Sequence, residues 1–232
     1  MTSVLMVVTA ARYWTLNDGT QHPTGFWAEE LVVPYTTFAD AGWDITVATP
    51  GAVTPVVDKL SLGFAGGLPS RRREIKRRLD ELAPVLDAPA DVAEVDADDF
   101  DLVFYPGGHG PMEDLAVDPV SGALLRERLA AGKPLAMLCH SPAAVLAAEN
   151  PDGSASFAGR KMTGLSNREE RLNPFGWKAK WMLEDRLKEI GVDYSKGLLP
   201  LRPFVVVDGN LYTGQNPQSS TKLAERLVAD LG

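Results

Sequence analysis

Pro134-Leu135-Ala136-Met137-Leu138-Cys139-His140-Ser141-Pro142 carries a short apolar run straight into a helix-like segment with no linker between them. An apolar run without alternation reads as a strand buried on both faces, and a helix starting immediately behind it forces a sharp turn at Cys139. A side chain at such a turn is lifted out of the sheet, so the pattern predicts a displayed thiol. The positive end of the following helix and the adjacent imidazole would both favour thiolate. Cys139 is the only cysteine of 232 residues. Alone, a free cysteine reads as a small buried hydrophobe. A second strand-end turn changes that reading: Leu102-Val103-Phe104-Tyr105-Pro106-Gly107-Gly108-His109-Gly110 ends a strand in glycines. One turn bearing a nucleophile and another bearing exposed backbone N–H groups are what covalent catalysis on a carbonyl needs.

Outward from these turns, strand and helix alternate. Ser3 to Thr9 reads as a buried strand, and Ala10 to Pro23 as a polar loop that turns at Asn17-Asp18-Gly19 and has room for function. Phe26, Trp27, Leu31, Val32 and Phe38 give a helical pattern that ends near Gly42, with Trp43 to Thr49 strand-like behind it. Helices are expected from about Ser70 to Leu82, Val120 to Ala131, Trp181 to Ile190 and Gln218 to Leu231. A short strand is expected within Arg160 to Leu165, and a hairpin over Pro203 to Thr213 turning at Asp208-Gly209. The fold class is therefore α/β: a doubly wound, mostly parallel sheet with helices on both faces, its site at the carboxyl ends of the strands. The length suits one domain over residues 1–232, and no repeat or interdomain linker interrupts it.

With 31 acidic against 23 basic residues the formal charge is −8, which disfavours a polyanion such as nucleic acid and points to a small substrate. Arg71 to Arg78 is basic, but Ile75, Leu79 and Leu82 at helical spacing and acids at Asp80 and Glu81 make it a solvated helix face. Met1 to Ala11 lacks a basic n-region and a long apolar stretch, so a cytoplasmic protein without a membrane span is expected.

His22, His109 and His140 lack the paired spacing of zinc sites, so no metal is expected. The run from Gly108 to Glu113 begins like a dinucleotide fingerprint but has proline inside it and glutamate where the third glycine belongs, so no nucleotide cofactor is expected either. His140 is a candidate general acid or base for Cys139; the same role is open to His109. The N–H groups of Gly108 and His140 are the expected oxyanion donors, with Gly107, Gly108 and His109 forming the substrate-facing turn.

Pro106 to Met112 with Asp114-Leu115, and Leu138 to Ala143, resemble the two site segments of the ThiJ/PfpI superfamily. Thr24-Gly25-Phe26-Trp27-Ala28-Glu29-Glu30-Leu31 with Pro34 resembles its branch of heat-shock chaperones and glutathione-independent glyoxalases. Val205 to Pro217 with Ser219-Ser220 resembles the closing hairpin and helix start. The resemblance spans nearly the whole chain and implies a flavodoxin-like sheet, a nucleophile elbow at Cys139 and an acid, Glu30, in contact with the thiol. It implies a third acid that Glu170 matches best, with Glu169 as competitor, and a homodimer. Ser141 stands where relatives often have glycine; as a small residue that caps helices well it should preserve the turn.

The activity implied is glyoxalase III-like: methylglyoxal to lactate with neither metal nor glutathione. A cysteine amidase or peptidase would begin with the same attack on a carbonyl, and a holdase chaperone or redox sensor would use a displayed thiol differently.

Overall fold

The computed structural model describes all 232 residues. Eleven strands follow in chain order: β1 (Ser3–Val7), β2 (Tyr13–Thr15), β3 (Gln21–Pro23), β4 (Asp44–Thr49), β5 (Ala90–Asp91), β6 (Leu102–Tyr105), β7 (Leu135–Leu138), β8 (Lys161–Met162), β9 (Asp193–Tyr194), β10 (Val205–Asp208) and β11 (Leu211–Gly214). The α-helices are α1 (Ala28–Asp40), α2 (Lys59–Leu62), α3 (Pro69–Glu81), α4 (Ala83–Leu86), α5 (Pro119–Ala130), α6 (Asn167–Glu170), α7 (Leu183–Glu189) and α8 (Ser220–Leu231).

Seven strands form one sheet in the order β10-β11-β7-β6-β1-β4-β5, and only the β10–β11 pair is antiparallel. The apolar runs explain this burial on both faces. Along β1 the side chains alternate between two cores: Val4 and Met6 enter one, Leu5 and Val7 the other. β6 does the same with Leu102 and Phe104 against Val103 and Tyr105. Each such fully buried side chain contributes about 1.5–3 kcal/mol, so every central strand is held from two sides. Helices α1 and α8 pack on one face, α5 and α7 on the other.

Strand order reverses at β1, between β4 and β6, which opens a crevice at the carboxyl ends of the strands. The turn after β6, the turn after β7 and the start of α1 all meet there. The sequence-expected elements are present with small shifts at their ends. Two expectations change. The segment Ala10 to Pro23 is an antiparallel hairpin, β2–β3, turning over the expected Asn17-Asp18-Gly19. The segment behind Cys139 is a 3-10 helix, Ser141–Ala147, instead of an α-helix. Pro142 sits in its first turn and small residues follow, and its poorer hydrogen-bond alignment gives a weaker dipole than the sequence reading assumed.

Candidate active site

Cys139 has φ 62°, in the left-handed region that residues bearing a Cβ avoid. Neighbouring chain enforces it: Cys139 N–H donates to Gly214 O at 2.8 Å, and Leu165 N–H donates to Cys139 O at 2.8 Å. Ser141 Oγ accepts from Leu138 N–H at 2.7 Å and lies 2.8 Å from Tyr105 O and 2.9 Å from Leu138 O, one of which takes its proton. The serine therefore ties the end of β7 to the end of β6 and is not the expected helix cap. The N–H groups of Gly108 and His140 donate to no protein acceptor, as oxyanion donors must be free to do.

The thiol is not displayed. Cys139 is 4% exposed and belongs to the core on the α1 face. Burial pushes its pKa well above the ordinary value. The expectation of a low-pKa thiolate is overturned by desolvation of the charged form.

Glu30 is fully buried on the first turn of α1. Its carboxyl lies against the thiol and the Gly107 N–H, but neither oxygen has a well-aligned partner, and burial first, then charge on Glu29, holds its pKa well above the carboxylate range. A neutral, proton-bearing Glu30 beside a neutral Cys139 is the arrangement this favours. Gly107 makes the approach possible: a Cβ there would lie 2.5 Å from Glu30 Oε2 and 3.0 Å from Cys139 Cβ. Gly108, at φ 105°, would drive a Cβ to 2.5 Å from Gly25 O.

His140 Nδ1 lies 3.4 Å from Cys139 Sγ, and its Nε2 lies 2.6 Å from Glu170 Oε2. An anionic Glu170 fixes the proton on Nε2 and leaves Nδ1 as acceptor toward sulfur. Burial, and then the charge on His109, lower the His140 pKa, which keeps it a neutral base. Burial opposes ionisation of Glu170, but His109 and His140 outweigh it and hold its carboxyl well below the usual range. The other Glu170 oxygen, Oε1, is 3.0 Å from His109 Nε2. The two imidazole rings stand 4.1 Å apart, and Trp14 of β2 stacks on His109 at 4.2 Å.

His109, His140 and Glu170 lie far apart in sequence, yet one ring nitrogen or carboxylate oxygen from each comes within 4.8 Å of the others. Histidine spacing along the chain was therefore a poor guide to proximity. Both Glu170 oxygens already bind imidazole nitrogens, so hydrogen bonding accounts for the cluster.

Glu169, the competing acid, faces the other way from α6. It accepts from Ser166 Oγ at 2.6 Å, Gln215 Nε2 at 2.6 Å, Asn216 Nδ2 at 2.7 Å and Leu201 N–H at 2.9 Å. Its carboxylate ties the Ser166 capping box to the chain behind β11. Glu169→Gln places an amide donor among these donors and should cost about 2–3 kcal/mol. The expected readout is a melting temperature lower by roughly 5–10 °C, with near-normal turnover per folded molecule.

Hairpin β2–β3 covers the crevice. Thr15 N–H and Oγ1 bond to Glu113, Asn17 N–H donates to Lys178 O at 2.8 Å, Asp18 pairs with Lys178 at 2.9 Å, and His22 stacks on Phe175 at 3.8 Å. Sequence reasoning flagged this segment as a possible functional loop but gave no signal for Trp14 or for Asn173, whose Nδ2 lies 3.2 Å from His109 Nε2.

A flavodoxin-like sheet with a strained cysteine elbow, a buried glutamate behind it and a histidine–glutamate pair beside it defines a cysteine-centred α/β site. The chain belongs to the DJ-1/PfpI family, whose model matches residues 23–230. Among relatives, a glutathione-independent glyoxalase of Saccharomyces cerevisiae is 26% identical, covering 97% of this chain and 96% of that protein. A protein/nucleic acid deglycase of Pseudomonas aeruginosa is 28% identical over 96% of this chain and 78% of its own. The crystal structure of glyoxalase III from Candida albicans superposes with a TM-score of 0.83 at 23% identity, covering 100% of this chain and 98% of that one, a likeness of fold. No helix here is long and apolar enough to cross a membrane.

Proposed function

We propose that this chain is a glutathione-independent glyoxalase that isomerises methylglyoxal or a similar small 2-oxoaldehyde to the 2-hydroxyacid through Cys139. The observation that carries the reading is the convergence of Glu30, Cys139, His140 and Glu170 in one buried cluster at the crevice. The names of the relatives support it.

Sulfur attacks the aldehyde carbon C1 as His140 Nδ1 takes the thiol proton. The C1=O electron pair moves to oxygen, with the free N–H groups of Gly108 and His140 as its donors, and Glu30 supplies the proton that makes the hydroxyl. His140 Nδ1, having returned its proton to Glu30, takes the C1 hydrogen; the C1–H pair forms C1=C2, and the ketone oxygen is protonated to the enediol. Return of that hydrogen to C2, with loss of the proton on the C1 oxygen, leaves a thioester that water cleaves to hydroxyacid and thiol. Every step starts from a neutral thiol and a neutral base, so a raised cysteine pKa is compatible with turnover.

The redox-sensor reading needs a thiol that ionises readily, and the raised pKa of Cys139 weighs against it. The −8 charge still favours a small substrate over a polyanion, and a cytoplasmic homodimer remains our working assignment.

Purified protein incubated with methylglyoxal, without glutathione or added metal, should yield lactate at catalytic concentrations. Absence of lactate from folded protein, with release of amine or acid from glycated or amide substrates, would move the assignment to a deglycase or cysteine hydrolase.

A further inference from the structure

Glu170 is shared. Each of its oxygens meets a different buried imidazole, His140 at 2.6 Å and His109 at 3.0 Å, and the two rings lie against each other at 4.1 Å. A carboxylate serving only to orient His140 would need one oxygen. His109 is held as firmly as His140: Trp14 stacks on its ring, Glu170 Oε1 accepts from its Nε2–H, and the residue is buried. Its Nδ1, by contrast, has no protein partner and keeps a trace of accessible surface. That nitrogen is the one position where the ring can exchange a proton with something outside the protein.

We propose that His109 is a second acid–base residue of the site, giving a proton from Nδ1 to the substrate's ketone oxygen and taking one back from the C1 oxygen, while His140 handles the carbon-bound hydrogen. This rests on the glyoxalase reading, whose isomerisation moves two protons. His140 carries one from C1 to C2. The other must leave the C1 oxygen and arrive on the C2 oxygen, and a single imidazole cannot hold both at once. In the proposed step, His109 begins as imidazolium and protonates the C2 oxygen as the C1–H pair moves into C1=C2. Neutral His109 then accepts the C1 hydroxyl proton as the thioester carbonyl forms, and no proton or electron pair is left over.

The surroundings suit this division. Burial opposes charge on His109, but the Glu170 carboxylate outweighs it and, with Asp58 adding to it, raises its pKa, whereas His140 is lowered. The charged and titratable groups facing His109 are Glu170, His140, Asp58 and His22.

The test compares His109→Gln with His109→Leu. Glutamine keeps an N–H that reaches Glu170 but offers no exchangeable proton at the Nδ1 position; leucine removes both. For each, kcat and KM for methylglyoxal are measured against pH, together with the iodoacetamide reaction of Cys139 and the melting temperature. Expected for His109→Gln are a kcat about 100-fold lower, KM and thiol alkylation within about twofold, and loss of the alkaline fall of kcat that deprotonation of His109 gives the wild type. Leucine should lose further activity because Glu170 is freed. If His109→Gln restores wild-type kcat and pH profile where leucine does not, His109 only positions Glu170 and the proposal fails. Wild-type behaviour of both variants would overturn it as well. A wild type that makes no lactate would instead sink the glyoxalase reading on which it depends. Should His109→Gln fold poorly, His109→Asn read by the same kcat-to-alkylation ratio replaces it.

Discussion

Cys139→Ala should reduce lactate formation by at least about 10⁴-fold, to the background of the assay, because the mechanism bonds the aldehyde carbon to this sulfur. The site holds no second thiol, since Cys139 is the only cysteine of the chain. The variant should fold: alanine removes one buried sulfur from a position whose backbone is fixed by hydrogen bonds to Gly214 and from Leu165. Cys139→Gly makes a sharper companion. Glycine relieves the strain of φ 62°, offsetting its greater unfolded-state freedom, so its stability should match or exceed that of the alanine variant while activity is equally absent. A folded, inactive Cys139→Gly would separate chemistry from scaffold in one protein. Residual lactate at a tenth of the wild-type rate in either variant would require another nucleophile.

The second large effect is at Glu30. Glu30→Gln keeps a donor beside the sulfur but cannot exchange a proton, and should lose about 100- to 1,000-fold in turnover. Glu30→Leu should lose at least as much, and iodoacetamide alkylation of Cys139 should also slow because no donor remains for the developing thiolate. Stability should move in the opposite direction. A carboxyl whose folded pKa is raised contributes stability that is fully present below its unfolded pKa, near 4.5, and is lost as pH rises toward the folded value. At pH 7 the wild type therefore carries a desolvation cost that leucine lacks. Thermal melts of Glu30→Leu should lie above wild type at pH 7 and converge with it near pH 4. Equal activity with no change in the melts would make Glu30 an ordinary helix residue.

The sheet was legible because its strands are continuous apolar runs ending in glycine or cysteine turns, and burial on both faces leaves such runs few alternatives. Glu30 and Glu170 were legible through the resemblance of their segments, although Glu169 and Glu170 could be separated only in space: on the short α6 neighbouring carboxylates point to different partners. What local pattern could not show was desolvation. Cys139 is buried by long-range packing on the α1 face, and the sharing of Glu170 by two imidazoles brings in His109, with Trp14 stacked on it, from separate segments. A single tryptophan in a polar stretch carries no periodic signal. The thiol's raised pKa followed from that burial, and a local reading of helix end and imidazole had the sign reversed.

The most direct test of the central claim is chemical quenching of wild-type protein during methylglyoxal turnover, followed by peptide mass spectrometry. The mechanism places the substrate on sulfur, so the peptide containing Cys139 should carry the mass of one methylglyoxal, rising before lactate appears and decaying as it accumulates. Protein whose Cys139 has first been completely alkylated should show neither adduct nor lactate. Lactate produced at the normal rate by that alkylated protein would contradict the account.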